Sequence, residues 1–195
     1  MKKQQLFDLT KRLSEITGGK IPIICGTQSF FAYAELVPDI VSRSTECDYL
    51  LLDLDRETRN KILDELGLDS EFRVKNGYYA DPLGLFTVVL PKDWQKRLQE
   101  LRDENDNLIA YCVEIYDTAV SKLIAGREKD FVFLKILLEN ETITAPKFAE
   151  RIALLKEMPQ ATVVASRVAS LAEVLKKSRS FVDIQPLKNI AKIFE

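Results

Sequence analysis

The sequence predicts a mixed α/β (α+β) protein with a helical C-terminal part. Two patterns support this prediction. Before residue 91, short apolar runs are separated by glycine, proline and polar residues, which is typical of buried strands. After residue 117, apolar residues recur every three or four positions, which is typical of helices. We therefore predict an α/β core over residues 1–113 and a helical subdomain over residues 114–195.

The elements of the first part follow from these runs and from the residues that interrupt them. Leu6, Leu9 and Leu13 share one helical face, and Gly18 stops that helix. The predicted elements are, in order, a helix from Leu6 to Ile16, a strand from Ile21 to Cys25, a helix from Phe30 to Ala34 that ends before Pro38, a strand from Cys47 to Leu52, a helix over Ile62 to Leu66 that ends at Gly67, and a strand from Leu85 to Leu90.

The rest of the chain is assigned in the same way. Arg97 to Arg102 and Leu108 to Val113 flank a polar stretch, which favours a hairpin, although Leu98 and Leu101 also fit a helix. The tail from Ser180 to Glu195 contains repeated apolar residues, so we expect it to pack on the body of the protein or on a partner. Helices are predicted near Asp117 to Leu138, Pro146 to Met158 and Gln160 to Lys177.

The composition excludes several classes of function. The 195 residues include 28 basic and 30 acidic ones, and the net charge of −2 gives no overall attraction to nucleic acid or to an anionic membrane. The chain contains no histidine. This excludes Ser/His/Asp and Cys/His catalysis and every zinc site that requires imidazole. Chemistry must therefore rest on carboxylates, lysine, arginine and hydroxyl groups.

The cysteines and the absence of long apolar segments indicate the cellular compartment of the protein. Cys25, Cys47 and Cys112 lie in or beside apolar runs without CxxC spacing, so we expect buried free thiols in a reducing environment. The N-terminal segment lacks the apolar core of a signal peptide, and no segment has the ~20 apolar residues that cross a bilayer. We predict a cytoplasmic protein with no membrane partner, while the sequence leaves its oligomeric state open.

Two carboxylates at alternate positions of the second predicted strand form the first candidate site. Residues two apart on a strand point to one face, so Glu46 and Asp48 would lie side by side near the turn at Gly26 and Thr27. Such a pair favours Mg²⁺, which takes carboxylate oxygens together with substrate phosphates. Backbone N–H groups after Gly26 could receive a phosphate. An acidic strand end beside an ordinary turn gives the same pattern.

Cationic residues after residue 121 form the second candidate site. On one continuous helix, Lys122 and Lys129 would project within about 20° of each other, with Asp130 about 80° from Lys122. Together with Arg127 these cations could bind a triphosphate, and we predict that they face the same cleft as Gly26. A solvated helix face has the same spacing, and the sequence alone leaves both interpretations open.

Five blocks of sequence then suggest a family. They are Gly26-Thr27-Gln28-Ser29, Thr45-Glu46-Cys47-Asp48, Tyr78-Tyr79-Ala80, the segment from Leu90 to Leu98 and the segment from Asp117 to Asp130. Together, and in this order, they resemble an uncharacterised bacterial nucleotidyltransferase-fold family related to AbiEii-type toxins. The last block is the most specific, because its order of lysine, glycine, arginine, lysine and aspartate seldom recurs by accident.

The resemblance implies a minimal polymerase-β-like fold with a nucleoside triphosphate as substrate and Mg²⁺ as cofactor. In such a fold, carboxylates of a mixed sheet hold metal ions while an acceptor hydroxyl displaces pyrophosphate. By this resemblance Glu46 and Asp48 are metal ligands and catalytic residues, and Asp130 is also catalytic. The implied acceptor is an RNA or a protein, with an antitoxin-like partner in a toxin–antitoxin or phage-defence setting. The residues assigned to the nucleotide are Gly26, Thr27, Lys122, Arg127 and Lys129.

The sequence differs from the polymerase-β-like superfamily at the predicted metal-binding acids. Glu46 stands where most active relatives carry aspartate, and the predicted strand from Leu85 to Leu90 contains no third acid. Asp81 lies just upstream and is the only nearby substitute. A catalytically degenerate nucleotide-binding module and a partner protein that uses its C-terminal helices therefore remain alternatives. Trp94 also fits two roles, stacking on a base or closing the edge of a core.

Overall fold

The computed structural model describes residues 1–33, 43–84 and 87–195. The chain forms two compact units. The first contains residues 1–88 and 97–114, and the second contains residues 89–96 and 115–195. The predicted domains, 1–113 and 114–195, stay a prediction, because compactness alone does not show that either part folds by itself.

The first unit is built on a sheet whose strands are β1 (Ile23–Ile24), β2 (Glu46–Leu50), β3 (Tyr79–Pro82), β4 (Gln99–Arg102) and β5 (Leu108–Cys112). Their order across the sheet is β3-β2-β1-β5-β4. β1 pairs antiparallel with β2 and parallel with β5. β2 and β3 run parallel, and β4 and β5 form an antiparallel hairpin. This mixed sheet, together with helices, confirms the predicted α+β class, and the hairpin is confirmed over its helical alternative.

Two of the predicted strands are confirmed and the third is wrong. β1 is shorter than predicted, and β2 begins one residue earlier. For the predicted strand from Leu85 to Leu90, residues 85 and 86 lie outside the described residues, and residues 87–90 form a turn, a bend and irregular backbone. Leu90 is buried and belongs to the second unit. The apolar run therefore contributes to a core without forming a strand.

In the described part of the first unit, the helices are α1 (Lys3–Ile16), a 3₁₀ helix (Gly26–Ala32), α2 (Arg56–Leu66) and α3 (Glu71–Asn76). The predicted α1 is confirmed, with Leu6, Leu9 and Leu13 fully buried. α2 extends the predicted helix toward its N-terminus and ends before Gly67, as expected. The helix predicted from Phe30 is a 3₁₀ helix that starts at Gly26. The remainder of that prediction, from Ala34 to Pro38, lies outside the described residues.

Local capping directs the chain into β3. The carboxylate of Asp55 accepts a hydrogen bond from the Thr58 N–H at the start of α2 (2.8 Å). The hydroxyl of Ser70 accepts one from the Arg73 N–H at the start of α3 (3.2 Å). Gly77 then takes a left-handed conformation with a φ of 76° and ends α3. Two residues later β3 begins.

The three cysteines are buried free thiols, as predicted. Burial raises the pKa of the Cys112 thiol to about 12, and it raises the pKa values of Cys25 and Cys47 as well. Because the thiolate is the reactive form, these cysteines are poor nucleophiles at neutral pH.

In the described part of the second unit, the α-helices are α4 (Ile115–Ala125), α5 (Glu128–Glu139), α6 (Ala145–Ala153), α7 (Ala161–Lys177) and α8 (Gln185–Ala191). The described residues from Ser121 to Lys177 include no strand, as predicted. The single helix predicted from Asp117 to Leu138 is wrong, because Gly126 separates α4 from α5 with a φ of 62°. A left-handed residue cannot continue a right-handed helix.

The C-terminal tail packs on the second unit, as expected. α8 lies against α6 and α7, and it buries Leu187 and Ala191. Phe181, in the connection before α8, is fully exposed. Within the described ranges, no helix is both long and apolar enough to cross a membrane.

Candidate active site

Three carboxylates lie on one face of the sheet. The parallel register of β2 and β3 pairs Asp48 with Asp81 and Glu46 with Tyr79. Side chains paired in register point to the same face, so all four residues share it. Each of them is half-buried, and the residues between them are buried against the other face. The predicted alternation of Glu46 and Asp48 is thus observed, with Asp81 added beside them.

The Gly26 turn lies against one of these carboxylates. A Cβ atom at position 26 would come within 2.2 Å of Asp48 Oδ2, a separation that real structures do not tolerate. The Cys25 N–H also donates a hydrogen bond to the Asp48 carbonyl oxygen (2.8 Å). Glycine is required here for two reasons, because its φ is 61° and because the carboxylate occupies the space of a side chain.

Asp81 is the acid that the sequence analysis could place only as a substitute. Asp81 belongs to β3, whereas the third acid was predicted on a strand at Leu85 to Leu90. Burial raises the pKa of the Asp81 carboxyl, the charge of Glu46 raises it further, and Arg59 opposes the shift. Asp81 and Glu46 are therefore close enough to repel each other, and Asp81 is a stronger base than an exposed aspartate.

Tyr79 holds Glu46. Its hydroxyl donates a hydrogen bond to Glu46 Oε2 at 3.2 Å. Burial raises the pKa of the Tyr79 phenol, as does the negative charge of Glu46, so the phenol stays protonated and remains a donor at neutral pH. The guanidinium of Arg73 lies over the Tyr79 ring, 5.9 Å from its centre. These contacts orient Glu46 and α3 around the acidic face.

Glu46, Asp48 and Asp81 form an acidic face, and its carboxylate oxygens are the kind of ligand that a hard divalent cation binds. The mutual repulsion of Glu46 and Asp81 is what a cation would relieve. Among the described residues, however, no three carboxylates or thiolates come close enough together to enclose a metal ion. The geometry therefore suits an ion that takes one or two protein carboxylates and completes its shell with water and substrate phosphates, which is the habit of Mg²⁺.

The Gly26 turn differs from a typical helical phosphate site. It opens a 3₁₀ helix of seven residues, which aligns fewer peptide dipoles than a long α-helix does. Thr27 is half-buried at its start. The Ser29 hydroxyl donates to the Gly26 carbonyl oxygen (2.8 Å) and tightens the turn. Phosphate binding by Gly26 and Thr27 stays a prediction.

In the second unit, the predicted cations form a cluster around a buried aspartate. Asp130 is 1% exposed. Its Oδ2 accepts a hydrogen bond from Arg127 Nε at 2.6 Å, and its Oδ1 lies 3.4 Å from Lys122 Nζ. Because Gly126 breaks the helix, Lys122 meets Asp130 instead of standing beside Lys129. The expected helical alignment of the two lysines is therefore wrong, and Lys129 lies exposed.

Lys122 and Arg127 both pair with Asp130, and the side chain of Lys122 is only 12% exposed. Asp130 has both oxygens engaged with cations, an arrangement that suits a positioning residue. Its predicted catalytic role, and the prediction that the cations face the Gly26 turn, stay predictions, since the turn belongs to the other unit. Trp94 is buried in the second unit, which favours its core role over base stacking.

Sequence reasoning missed Tyr79 as a partner of Glu46 and could not assign Asp81 to a strand. The signal that could have found both is local. The pair Asn76-Gly77 indicates a turn, and the β-favouring Tyr78 and Tyr79 after it indicate the start of a strand.

Comparison with known proteins shows the family of the chain. No curated protein and no solved structure matches the sequence significantly. A protein family does match, over residues 4–153, and that segment contains the Gly26 turn, the acidic face and the Asp130 cluster. The match covers well over half of the chain, so this protein belongs to the family described as "Nucleotidyltransferase of unknown function (DUF6036)".

Proposed function

We propose that the protein is a Mg²⁺-dependent nucleotidyltransferase that transfers a nucleotidyl group from a nucleoside triphosphate to a hydroxyl of an RNA or a protein. The observation that carries this proposal is the packing of Asp48 against Gly26, with Asp81 in register beside Asp48. The absence of a side chain at Gly26 lets the Asp48 carboxylate, a metal ligand in this proposal, lie directly against the turn that would receive a phosphate.

Glu46 and Asp48 would hold the metal ion, because they lie on one strand face and Asp48 is nearest to the glycine turn. When bound, Mg²⁺ would neutralise charge on the phosphate oxygens and lower the pKa of the acceptor hydroxyl. Tyr79 keeps the Glu46 carboxylate in place through its hydrogen bond.

Asp81 takes the proton of the acceptor hydroxyl. The hydroxyl oxygen forms a bond to the α-phosphorus, and the bond from that phosphorus to the oxygen bridging it to the β-phosphate breaks. Pyrophosphate leaves with the electron pair of that bond. The raised pKa of Asp81 favours this role, since a base works best when its pKa approaches the working pH.

Gly26 and Thr27 in the first unit are proposed to bind phosphate groups through their backbone and hydroxyl. Lys122, Arg127 and Lys129 in the second unit are proposed to bind phosphate through their charges. Asp130 serves catalysis indirectly in this proposal, by fixing Lys122 and Arg127. The sequence resemblance supports a relation to AbiEii-type toxins and an antitoxin-like partner. The buried free cysteines support a cytoplasmic location, and all three are parts of the same proposal.

A second candidate is a nucleotide-binding module that has lost catalysis. The observation that favours it is the absence, among the described residues, of three acids close enough to enclose an ion. Such a module would bind a nucleoside triphosphate through its phosphates and release it unchanged.

Transfer of label decides between the two candidates. The protein is incubated with each of the four α-³²P-labelled ribonucleoside triphosphates, Mg²⁺ and total RNA, and incorporation into RNA and into the protein itself is measured. Transferase activity predicts incorporation that Asp48→Asn and Asp81→Asn each reduce by at least about 100-fold. Asp64→Asn is the matched control, because Asp64 is an exposed acid of α2. Incorporation that survives both active-site changes refutes the proposal, and nucleotide binding without incorporation supports the second candidate.

A further inference from the structure

Phe181 is a fully exposed aromatic residue in the connection between α7 and α8. The backbone on both sides of it is held by hydrogen bonds. The Ser180 N–H donates to the Leu175 carbonyl oxygen at 3.0 Å, and the Val182 N–H donates to the Ser180 hydroxyl at 3.4 Å. A single exposed apolar side chain is ordinary, but one that adjoins an apolar recess indicates a contact surface.

Such a recess lies directly beside Phe181, which forms part of its lining. It is an open groove of about 780 Å³ in the second unit, lined by residues from 138–146 and from 179–186. We call it the Phe181 groove. Its lining includes the buried apolar side chains of Leu138, Ile143 and Ala145. An apolar side chain that enters the groove would therefore exchange water for apolar contacts.

Two charges of opposite sign stand at the groove. Glu141 and Arg179 both line it and are exposed. Each takes a left-handed backbone conformation with a φ of 55°, Glu141 after α5 and Arg179 after α7. Neither side chain forms an ion pair within the described ranges of the chain. The groove therefore offers one cation and one anion to a partner.

The other two acids of the groove have partners in the chain. Glu139 forms an ion pair with Lys135 at 2.8 Å. The Asp183 carboxylate accepts a hydrogen bond from the Gln185 N–H at 2.9 Å, at the start of α8. These acids are already engaged, so the charge pattern presented to a partner is that of Glu141 and Arg179.

We propose that the Phe181 groove is a two-fold dimer interface, in which Phe181 of each copy of the chain enters the groove of the other copy. A two-fold interface uses the same surface on both copies and must be complementary to itself. This surface meets the requirement, because it carries both an aromatic side chain and an apolar recess, and both a cation and an anion. Arg179 of each copy would face Glu141 of the other. The inference does not depend on the proposed transfer reaction.

Sedimentation equilibrium of the full chain, from about 1 μM to about 1 mM, tests the inference. We expect a monomer–dimer equilibrium that Phe181→Ala weakens at least about tenfold, because a buried aromatic residue contributes strongly to an interface. Val74→Ala is the matched control, since Val74 is 82% exposed and belongs to the first unit; it should leave the affinity unchanged. A chain that stays monomeric would leave the groove to another partner, and this result overturns the inference, as does a dimer that Phe181→Ala does not weaken.

Exchange of the two charges tests the two-fold geometry. Glu141→Arg and Arg179→Glu should each weaken self-association, because each variant alone places like charges opposite each other at both contacts. An equimolar mixture should form a heterodimer, because opposite charges then meet at both contacts. Both changes affect exposed side chains, and circular dichroism should show an unchanged fold. A mixture that associates no better than either variant alone overturns the two-fold arrangement.

Hydrogen exchange on the unaltered protein gives an independent measurement. The amides of residues 179–184 should exchange more slowly as protein concentration rises, because dimerisation excludes water from this segment. Slower exchange confined to another surface would place the interface there and overturn the inference.

Discussion

Replacing Gly26 with alanine tests whether the glycine turn positions the Asp48 carboxylate. The new Cβ atom would lie 2.2 Å from Asp48 Oδ2, so one of them must move by about 0.8 Å to reach even the 3.0 Å below which real contacts are not seen. A displacement of about 1 Å in a catalytic group can cost about 100-fold in rate. Alanine at a φ of 61° adds roughly 1–2 kcal/mol of backbone strain.

Gly77→Ala separates these two effects. Gly77 has a similar φ of 76°, but a Cβ atom there meets nothing within 4 Å. Both variants should therefore lose about 1–2 kcal/mol from backbone strain, which corresponds to roughly 2–4 °C in Tm per kcal/mol for a chain of this size. Only Gly26→Ala should also lose label transfer, by about 100-fold.

The assays are thermal unfolding followed by circular dichroism and the transfer of α-³²P label described above. Equal losses of transfer in the two variants would mean that strain, and not the position of Asp48, determines activity. Full activity in Gly26→Ala would refute the role of the turn altogether.

Three further predictions concern charged and titrating groups. Burial and the charge of Glu46 raise the pKa of Asp81 in the folded protein, so the folded state binds this proton more tightly than the unfolded state. Stability therefore falls as pH rises through the pKa of folded Asp81. Asp81→Asn should raise Tm at pH 7 while abolishing transfer, and a lower Tm would contradict this. Asp117→Ala should cost about 3 kcal/mol in urea unfolding, because it removes a fully buried carboxylate that pairs with Arg151. Glu65→Gln, which breaks the exposed pair with Lys61, should cost less than about 0.5 kcal/mol. Folding raises the pKa of the Cys112 thiol from 9.0 to about 12. The folded protein keeps this proton at pH values where the unfolded chain loses it, so stability should decrease as pH rises from 9 toward 12. If the stability of a Cys112→Ala variant depends on pH in the same way over this range, the thiol is not responsible.

The sequence predicted the elements in which local signals agree with tertiary packing. The apolar spacing of Leu6, Leu9 and Leu13 defines α1 because that face is also the buried face. Gly67 marks the end of α2 in the same way. Residues two apart share a face in any strand. The prediction that Glu46 and Asp48 lie on one face was therefore right, although the start of the strand was predicted one residue too late.

The errors arose where an apolar run does not form a strand or where a strand contains residues that disfavour strands. The run Leu85 to Leu90 is apolar, yet its described part forms no strand, and Leu90 is buried in the second unit. β3 contains Asp81 and Pro82, which disfavour strands, and Pro82 is tolerated because β3 lies at the edge of the sheet. The third carboxylate was therefore expected on the wrong segment, with Asp81 named only as its substitute. A single helix was also predicted across Gly126, whose left-handed φ of 62° separates α4 from α5.

The central position of β1 has a consequence for how the chain folds during synthesis. β1 consists of two residues, and one of its neighbours is β5, where Ile23 pairs with Tyr111, 88 residues later. So short a strand gains little from local hydrogen bonds, and pairings of such long sequence separation form slowly. The sheet that carries Asp48 and Asp81 thus cannot be completed until the ribosome has released the hairpin of β4 and β5. A nascent chain stalled before residue 112 should remain protease-sensitive, whereas release of that hairpin should protect the whole acidic face in one step.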